Sequence, residues 1–196
     1  MSAPAPLPQL ERPTREHAVR YARLQFEQGE RVDMQTLATA LGVGRTTLYR
    51  WVGDREQLIA ELFATLTDEL FAAIAAEHTK RGIDAAFGSI RRFMTLTAGF
   101  APLREFAQRE PTLALRILVS PRGLVQERIR AGVTAALERS LRPEQLPIPP
   151  DLIDVLVQVG AGLQWTPIVI GDPPDIEQAL HLGRTVLAAH LASRAR

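Results

Sequence analysis

The sequence predicts an all-α protein in which a small head of three helices is followed by a larger helical bundle. Apolar residues recur at helical spacing along most of the 196 residues, and the chain lacks the strict alternation that β-strands produce. Between Pro13 and Pro102 there is no proline, so residues 14–101 can form continuous helices and turns. Within this stretch, glycines and small polar residues stand where helices are expected to end and begin.

The first two helices are expected to be short and amphipathic. Thr14 can cap the first helix, because its side-chain hydroxyl can accept a hydrogen bond from a free backbone N–H of the first turn. This helix should end at Gly29. Asp33 can cap the second helix in the same way. The segment before Thr14 is rich in proline and has little to bury, so we predict a disordered arm over residues 1–13.

The third helix, over residues 45–51, is too short to be stable alone. Its two turns of hydrogen bonds do not offset the cost of nucleation, so one face must dock on neighbouring helices. The other face carries donors that can reach phosphates or base edges: Arg45, Thr46, Tyr49 and Arg50. A turn at residues 42–43 joins this helix to the second one. The arrangement is typical of a helix-turn-helix DNA-binding domain, which we place at residues 14–56.

The rest of the chain, residues 57–196, is expected to form a helical ligand-binding and dimerisation domain. Proline is tolerated at the first position of a helix, so each isolated proline here should begin a new segment. The expected segments are helices from Asp54 to about 78 and from Asp84 to about 100, segments that begin at Pro102, Pro111 and Pro121, a loop over 142–150, and helices over about 151–170 and 175–192.

Composition excludes several classes of function. The chain has no cysteine and four scattered histidines, so we expect neither a disulfide framework nor a metal centre, and no cofactor. The longest apolar run, residues 152–170, is broken by polar residues and Pro167, which makes a membrane span a poor interpretation. No secretory signal is evident, and a cytoplasmic protein is expected. The net charge of +1 gives no electrostatic argument for binding nucleic acid. Such binding would depend on the positions of the basic residues and not on their number.

The string GVGRTTLYRWVGDREQL resembles the reading head of TetR-family transcriptional regulators. The resemblance is carried by sequence over about residues 14–62 and by helix layout in the remainder of the chain. The variant TLYRWVGDREQL, with Trp51 and Val52 where most members carry an aromatic such as Phe, resembles the QsdR-type branch. Regulators of that branch are associated with degradation of quorum-signal lactones.

The resemblance implies a ligand-responsive repressor that binds a palindromic operator in double-stranded DNA as a homodimer. It implies that Thr47 and Tyr49 bind phosphates, and that Arg55 does the same from the start of the fourth helix. The free N–H groups and positive dipole end of that helix support such a role. Arg45, Thr46 and Arg50 are then the candidates for base edges, since arginine can bind guanine bidentately.

The last two helices carry apolar residues on more than one side, which requires burial on both sides. The resemblance likewise implies that these two helices form a four-helix dimer interface. We expect the partner to meet one face of the last helix, formed by Ile176, Leu180, Gly183, Leu187 and Leu191. A second apolar face carries Ala179, Leu182, Val186 and Ala189. The alternative is a helix buried entirely within one bundle.

A small-molecule effector is expected inside the body. Polar groups among apolar ones can orient a polar head while the apolar side chains hold a chain. The candidate residues are Phe93, Met94, Thr97, Phe106, Arg116, Gln126, Gln158 and Trp165. The resemblance points to an elongated amphipathic molecule such as a fatty acyl compound or an acyl lactone. The plainer interpretation of the phenylalanines is that they belong to the hydrophobic core.

Two other classes of function stay open at this point. One is a helical protein that binds small molecules or lipids and whose head does not read DNA. Asp33 favours this alternative, because related regulators carry Thr or Ser at that position and a carboxylate there would repel phosphate. The nearby Arg31 could compensate for the negative charge. The other is an enzyme, which we do not expect because no carboxylate pair or nucleophile–base set has a defined spacing.

Overall fold

The protein was analysed as a computed structural model that describes residues 13–77 and 80–194. Within these two ranges the regular structure is helical, which confirms the predicted all-α class. The helices are α1 (Arg15–Glu27), α2 (Met34–Leu41), α3 (Arg45–Val52), α4 (Arg55–Glu77), α5 (Ile83–Gly99), α6 (Ala101–Arg109), α7 (Pro111–Leu118), α8 (Leu124–Ser140), α9 (Pro150–Ile170) and α10 (Ile176–Arg194), with a 3₁₀ turn at Pro143–Gln145. The predicted arm, except for Pro13, and the expected helix end at His78 lie outside the described residues.

Local hydrogen bonds fix the starts of the early helices as the sequence predicts. The Thr14 hydroxyl accepts from the backbone N–H of His17 at 3.4 Å, and an Asp33 carboxylate oxygen accepts from that of Thr36 at 2.8 Å. Asp54 accepts from the backbone N–H of Gln57 at 2.8 Å, and the Gln57 side chain accepts from the Asp54 N–H. These caps satisfy donors that a first helical turn leaves unpaired.

Two predicted helix starts are corrected. Pro121 does not begin a helix, because a turn in which the Gly123 N–H bonds to the Ser120 carbonyl at 2.9 Å comes first, and α8 begins at Leu124. Helix α5 begins one residue before Asp84. Its cap is Gly82, whose φ of +100° lies in a region that favours glycine, so Asp84 lies in the first turn instead.

The chain divides into two compact units, residues 1–62 and 63–196, and α4 begins in the first and ends in the second. In the first unit α1, α2 and α3 pack against one another. The core that they share with the start of α4 consists of buried aliphatic and aromatic side chains, among them Ala22, Phe26, Leu37, Leu48 and Leu58. Burial of one face of each short helix supplies the stability that its length does not.

The second unit is built around a larger core to which α4, α5, α8, α9 and α10 contribute. The ring of Phe71 stacks on that of Phe93 with centroids 4.3 Å apart. A Cβ at Gly132 would lie 2.3 Å from the Phe71 ring, so only glycine permits this approach of α8 to α4.

Helix α9 turns into α10 through a specific exchange of hydrogen bonds. Pro167 lies inside α9 and has no N–H to offer the carbonyl of Leu163, four residues earlier. That carbonyl instead accepts from the backbone N–H of Asp175 at 3.0 Å, and Asp175 caps α10 by accepting from Gln178. The two last helices are thereby fixed side by side.

By length and composition, α9 is also the one described helix that could cross a membrane. Core helices of soluble proteins meet the same criterion, and α9 packs against α6, α7, α8 and α10. Its apolar character is therefore weak support for a membrane span.

Candidate DNA-binding and effector sites

Helix α3 has one buried face and one exposed face. Leu48 and Val52 are 0% and 4% exposed and dock the helix on the first unit. The exposed face brings together four of the predicted DNA-binding residues, Arg45, Thr46, Tyr49 and Arg50, with Thr47 half-buried at its edge. Two guanidinium groups, two hydroxyls and a phenol are thus offered to solvent on a helix of eight residues. Such a face can donate to phosphates and to base edges.

The turn before α3 fixes its direction. Gly42 ends α2 with a φ of +64°, in the left-handed region, and its N–H and that of Val43 bond back to carbonyls of α2. Gly44 caps α3 without a side chain, and a Cβ there would meet nothing within 4 Å. The approach to the start of α3 is therefore open.

Arg55 lies on α4, apart from the α3 face. Its Nε–H donates to the backbone carbonyl of Val32 at 2.6 Å, which ties the start of α4 to the loop before α2. An arginine has five N–H donors, so this bond engages one of them. Arg55 is half-buried and its Nε–H is engaged, and both facts limit the directions in which its guanidinium can point.

Asp33 is engaged as a helix cap. Its carboxylate accepts from both the N–H and the hydroxyl of Thr36, at 2.8 and 3.0 Å. The hydrogen bond from the Thr36 backbone, with smaller contributions that include the charge of Arg31, lowers the pKa of the Asp33 carboxyl. The negative charge is thus directed at the positive end of α2.

Sequence reasoning missed Arg15, the first residue of α1. Its Nε–H donates to the carbonyl of Trp51 in the last turn of α3 at 3.0 Å, and its terminal nitrogen pairs with the Glu61 carboxylate on α4. The three residues are far apart in sequence and form no motif, so no sequence signal could have identified the contact.

Two pairs of polar side chains lie inside the second unit. Gln126 on α8 is fully buried, donates to the Leu118 carbonyl, and accepts from Gln158 of α9 at 3.1 Å. Two predicted effector residues are therefore in direct contact. Because both amides are neutral and hydrogen-bonded, their burial is tolerated without a charged partner.

The second pair joins a predicted residue to one that sequence reasoning did not select. Gln164 on α9 is 2% exposed, and its amide donates to the Thr97 hydroxyl at 2.8 Å and to the Met94 carbonyl at 3.3 Å. Its signal was present in the sequence, since a glutamine inside the most apolar stretch of the chain must find a partner when buried.

The remaining predicted effector residues divide between interior and surface. Phe93, Phe106 and Trp165 are buried, and Phe106 packs edge-on against Phe63 with centroids 5.3 Å apart. Arg116 on α7 is exposed, so the structure does not bring it together with the interior polar groups.

The structure corrects the expected dimer face of α10. Leu180, Gly183 and Leu187 are buried in the chain's own core, and Ile176 and Leu191 pack against it. Leu187 is 0% exposed, so a partner cannot reach it. The large apolar side chains that α10 exposes are Leu182 and Val186, at 38% and 39%. The helix is apolar on two sides, and the chain's own packing covers the side on which the sequence predicts the partner.

A three-helix head with a donor-rich short helix, followed by a helical body with a mostly apolar interior, defines the class of helix-turn-helix regulators with a separate ligand-binding domain. A family model described as tetracyclin repressor-like, C-terminal domain, matches residues 81–188. The chain belongs to the TetR family of transcriptional regulators.

Solved structures of TetR-family repressors share the fold. The chain is similar to the transcriptional repressor QsdR of R. erythropolis, with 27% identity, a TM-score of 0.81, and 89% of this chain and 94% of that chain covered. It also shares the fold of the repressor AlkX of Dietzia sp. strain DQ12-45-1b, implicated in biodegradation of n-alkanes, with 21% identity, a TM-score of 0.59, and 90% and 95% covered. No curated protein sequence matches the chain.

The family defines the coarse function. TetR repressors bind DNA operators and small-molecule effectors and act as dimers. They are soluble DNA-binding proteins and are generally not enzymes.

Proposed function

We propose that this protein is a cytoplasmic repressor that binds a palindromic operator as a homodimer and is released by a neutral amphipathic effector. The observation that carries the proposal is the face of α3, where every exposed side chain is a hydrogen-bond donor and the aliphatic residues Leu48 and Val52 are buried. A short helix of this kind fits the major groove of DNA.

The roles that we propose for the DNA-binding residues combine their chemistry with the family resemblance. Arg45 and Arg50 would read base edges with Thr46, because a guanidinium can donate two parallel bonds to guanine. Thr47 and Tyr49 would bind phosphates and set the orientation of the helix. Arg55 would bind a phosphate from the start of α4, where its Nε–H also holds the Val32 carbonyl.

The homodimer would form through the exposed sides of α9 and α10. On α9 the stripe consists of uncharged residues at helical spacing, Val155, Val159, Gly162, Thr166 and Ile170. On α10 it consists of Gln178, Leu182, Thr185, Val186 and Ala189. Val155 and Ile170 are 47% and 72% exposed, and exposed apolar side chains in a contiguous patch are typical of an interface. Two such helices paired with their copies give a four-helix contact with closed two-fold symmetry.

The effector would be uncharged at its polar end. Among the described residues of the second unit, the buried polar side chains are Thr67, Ser89, Gln126, Ser140 and Gln164, all neutral. A carboxylate or ammonium inside this interior would lack a charged partner, which is costly, whereas a lactone or amide could exchange bonds with Gln158 and Gln164. These considerations favour an acyl lactone over a free fatty acid.

Gel shifts with the region upstream of the protein's own gene test operator binding, with scrambled DNA as the control at physiological salt. We expect a preference of roughly 10³-fold or more for one site. Its two half-sites should lie about 34 Å, or a multiple of this distance, apart. Equal affinity for both DNAs would favour the alternative, a helical ligand-binding protein whose head does not read DNA.

Thermal unfolding with candidate effectors tests the ligand class. An acyl lactone and the free fatty acid of the same chain length differ in the charge of the polar end. At a hundred times its Kd the lactone should stabilise the protein by about 2.7 kcal/mol. Stabilisation by the fatty acid and not by the lactone would refute the proposal of an uncharged effector, and the proposal of operator binding would stand.

A further inference from the structure

We propose that Arg15 is a positioning residue for DNA recognition, which holds the end of α3 against α1 and α4 without itself contacting DNA. The inference rests on the proposed function, since it concerns how α3 is presented to an operator. It is carried by two contacts of a single guanidinium, one to the Trp51 carbonyl and one to the Glu61 carboxylate.

The first contact satisfies the C-terminal end of α3. The last carbonyls of any helix have no partner within the helix, and in a helix of eight residues they are half of all its carbonyls. The Tyr49 carbonyl accepts from the Gly53 N–H at 2.9 Å, and that of Trp51 accepts from Arg15 at 3.0 Å. A cation at this point also complements the negative end of the helix dipole.

The second contact gives the guanidinium a fixed direction. Glu61 lies two turns into α4, and its carboxylate accepts from a terminal nitrogen of Arg15 while Nε is directed at Trp51. A planar guanidinium with two anchored N–H groups cannot rotate freely, so α1, α3 and α4 are joined at one point. Arg15 itself is fixed as the first residue of α1 by the neighbouring Thr14 cap.

The pair contributes little to folding and much to geometry. The side chains of Arg15 and Glu61 are 45% and 27% exposed, and ion pairs at such exposure add little to the free energy of unfolding. DNA reading is more demanding, because a small displacement of a reader helix breaks base contacts. Loss of the pair should therefore leave the protein folded and reduce its discrimination between sequences.

Glu61→Gln separates this role from a direct contact. The change removes a negative charge from the DNA-binding unit, so simple electrostatics predicts equal or tighter binding of all DNA. The positioning role predicts about tenfold weaker operator binding, with affinity for scrambled DNA unchanged or slightly higher. Glu27→Gln is the matched control, since it removes a charge from the exposed Arg23–Glu27 pair on α1, which does not involve α3.

Arg15→Lys and Arg15→Ala complete the test. A lysine keeps the charge and could replace a phosphate contact, but it lacks the planar fork that serves Trp51 and Glu61 together. We expect both variants to lose operator discrimination to the same extent as Glu61→Gln, and the double variant Arg15→Ala/Glu61→Gln to add no further loss.

Hydrogen exchange of α3 in the DNA-free protein gives a readout that is independent of the operator. Exchange of its last amides should accelerate in Arg15→Ala and Glu61→Gln and stay unchanged in Glu27→Gln. Unchanged exchange and discrimination in Glu61→Gln, or rescue by Arg15→Lys with a lowered salt slope only in Arg15→Ala, would overturn the positioning role. A different result would refute the proposed function alone. In that case exchange accelerates in Arg15→Ala and Glu61→Gln, which supports the structural contact, but the wild-type protein does not discriminate operator from scrambled DNA.

Discussion

Helices α3 and α10 both bury one face and differ in the chemistry of the face that stays exposed. On α3 the exposed residues are arginines, a threonine and a tyrosine, all able to donate hydrogen bonds. On α10 the exposed apolar residues Leu182 and Val186 stand among uncharged neighbours. A donor-rich face suits a polyanion, whereas an uncharged apolar face suits a second apolar surface. The kind of partner that each helix has is therefore indicated by its exposed face, not by its overall hydrophobicity.

Introducing a charge on the exposed side of α10 should change DNA binding more than any other substitution proposed below. Val186→Glu or Leu182→Glu should place two carboxylates in one apolar interface and split the dimer, because each helix meets its own copy in the proposed dimer. Operator affinity should fall about 10²–10⁴-fold, since the two heads then bind independently. Sedimentation and gel shifts measure both effects.

Ala188→Glu is the control for this prediction. Ala188 is exposed on α10 but lies on the side away from Leu182 and Val186. A folded Val186→Glu protein that sediments as a dimer would place the interface elsewhere, as would an Ala188→Glu protein that is monomeric.

The next effect distinguishes the two apolar faces of the same helix. Leu187 is fully buried, so Leu187→Ala leaves a cavity and should lower the free energy of unfolding by about 2–5 kcal/mol. Leu182→Ala should change it by less than about 0.5 kcal/mol once the dimer is dissociated. Urea unfolding in the Val186→Glu background makes the comparison at the level of one chain. Equal losses for both leucines would contradict the corrected assignment of faces.

The sequence predicted those features that depend on interactions between residues close together in the chain. The caps Thr14, Asp33 and Asp54 were predictable because each bonds to a backbone group three residues away. The exposed face of α3 was predictable because a short helix has only one apolar side.

Contacts between distant residues were not predictable in this way. The two sides of α10 are both apolar, and only the packing of α5 and α9 decides which is covered. Likewise the bonds from Arg15 to Trp51 and from Gln164 to Thr97 join residues 36 and 67 positions apart, and neither separation has a periodicity that sequence analysis can use.

A smaller effect tests the donor-rich face of α3. Arg45→Ala and Arg50→Ala should each cost about 1–3 kcal/mol of operator binding and relax the preference at particular base pairs. Tyr49→Phe, which removes the proposed phosphate donor, should weaken binding of operator and scrambled DNA alike. Affinities for operators with single base changes separate the two patterns. Uniform weakening by both arginine variants would assign them to the phosphate backbone.

A weaker effect is expected at Asp33, whose charge either opposes DNA binding or simply caps α2. As a cap, Asp33→Ala should cost about 1 kcal/mol of stability at pH 7. The pKa of this carboxyl is lowered in the folded protein, chiefly by the hydrogen bond from the Thr36 backbone. Its ionised form is therefore the stabilising one. The contribution is fully present above the unfolded-state pKa of about 3.9 and is lost as the pH falls through the lower folded-state pKa.

Asp33→Asn separates the cap from the charge, because asparagine also caps helices well and does not ionise. Trp51 fluorescence in a Trp165→Phe background reports urea unfolding of the first unit at each pH. The stability gap between wild type and Asp33→Ala should shrink below about pH 4, while Asp33→Asn should show little loss at pH 7. If the carboxylate is only a cap, Asp33→Asn should also leave operator affinity nearly unchanged at neutral pH. A marked gain of affinity would show that the Asp33 charge does oppose phosphate, and that the hydrogen bonds to Thr36 do not neutralise its effect on DNA.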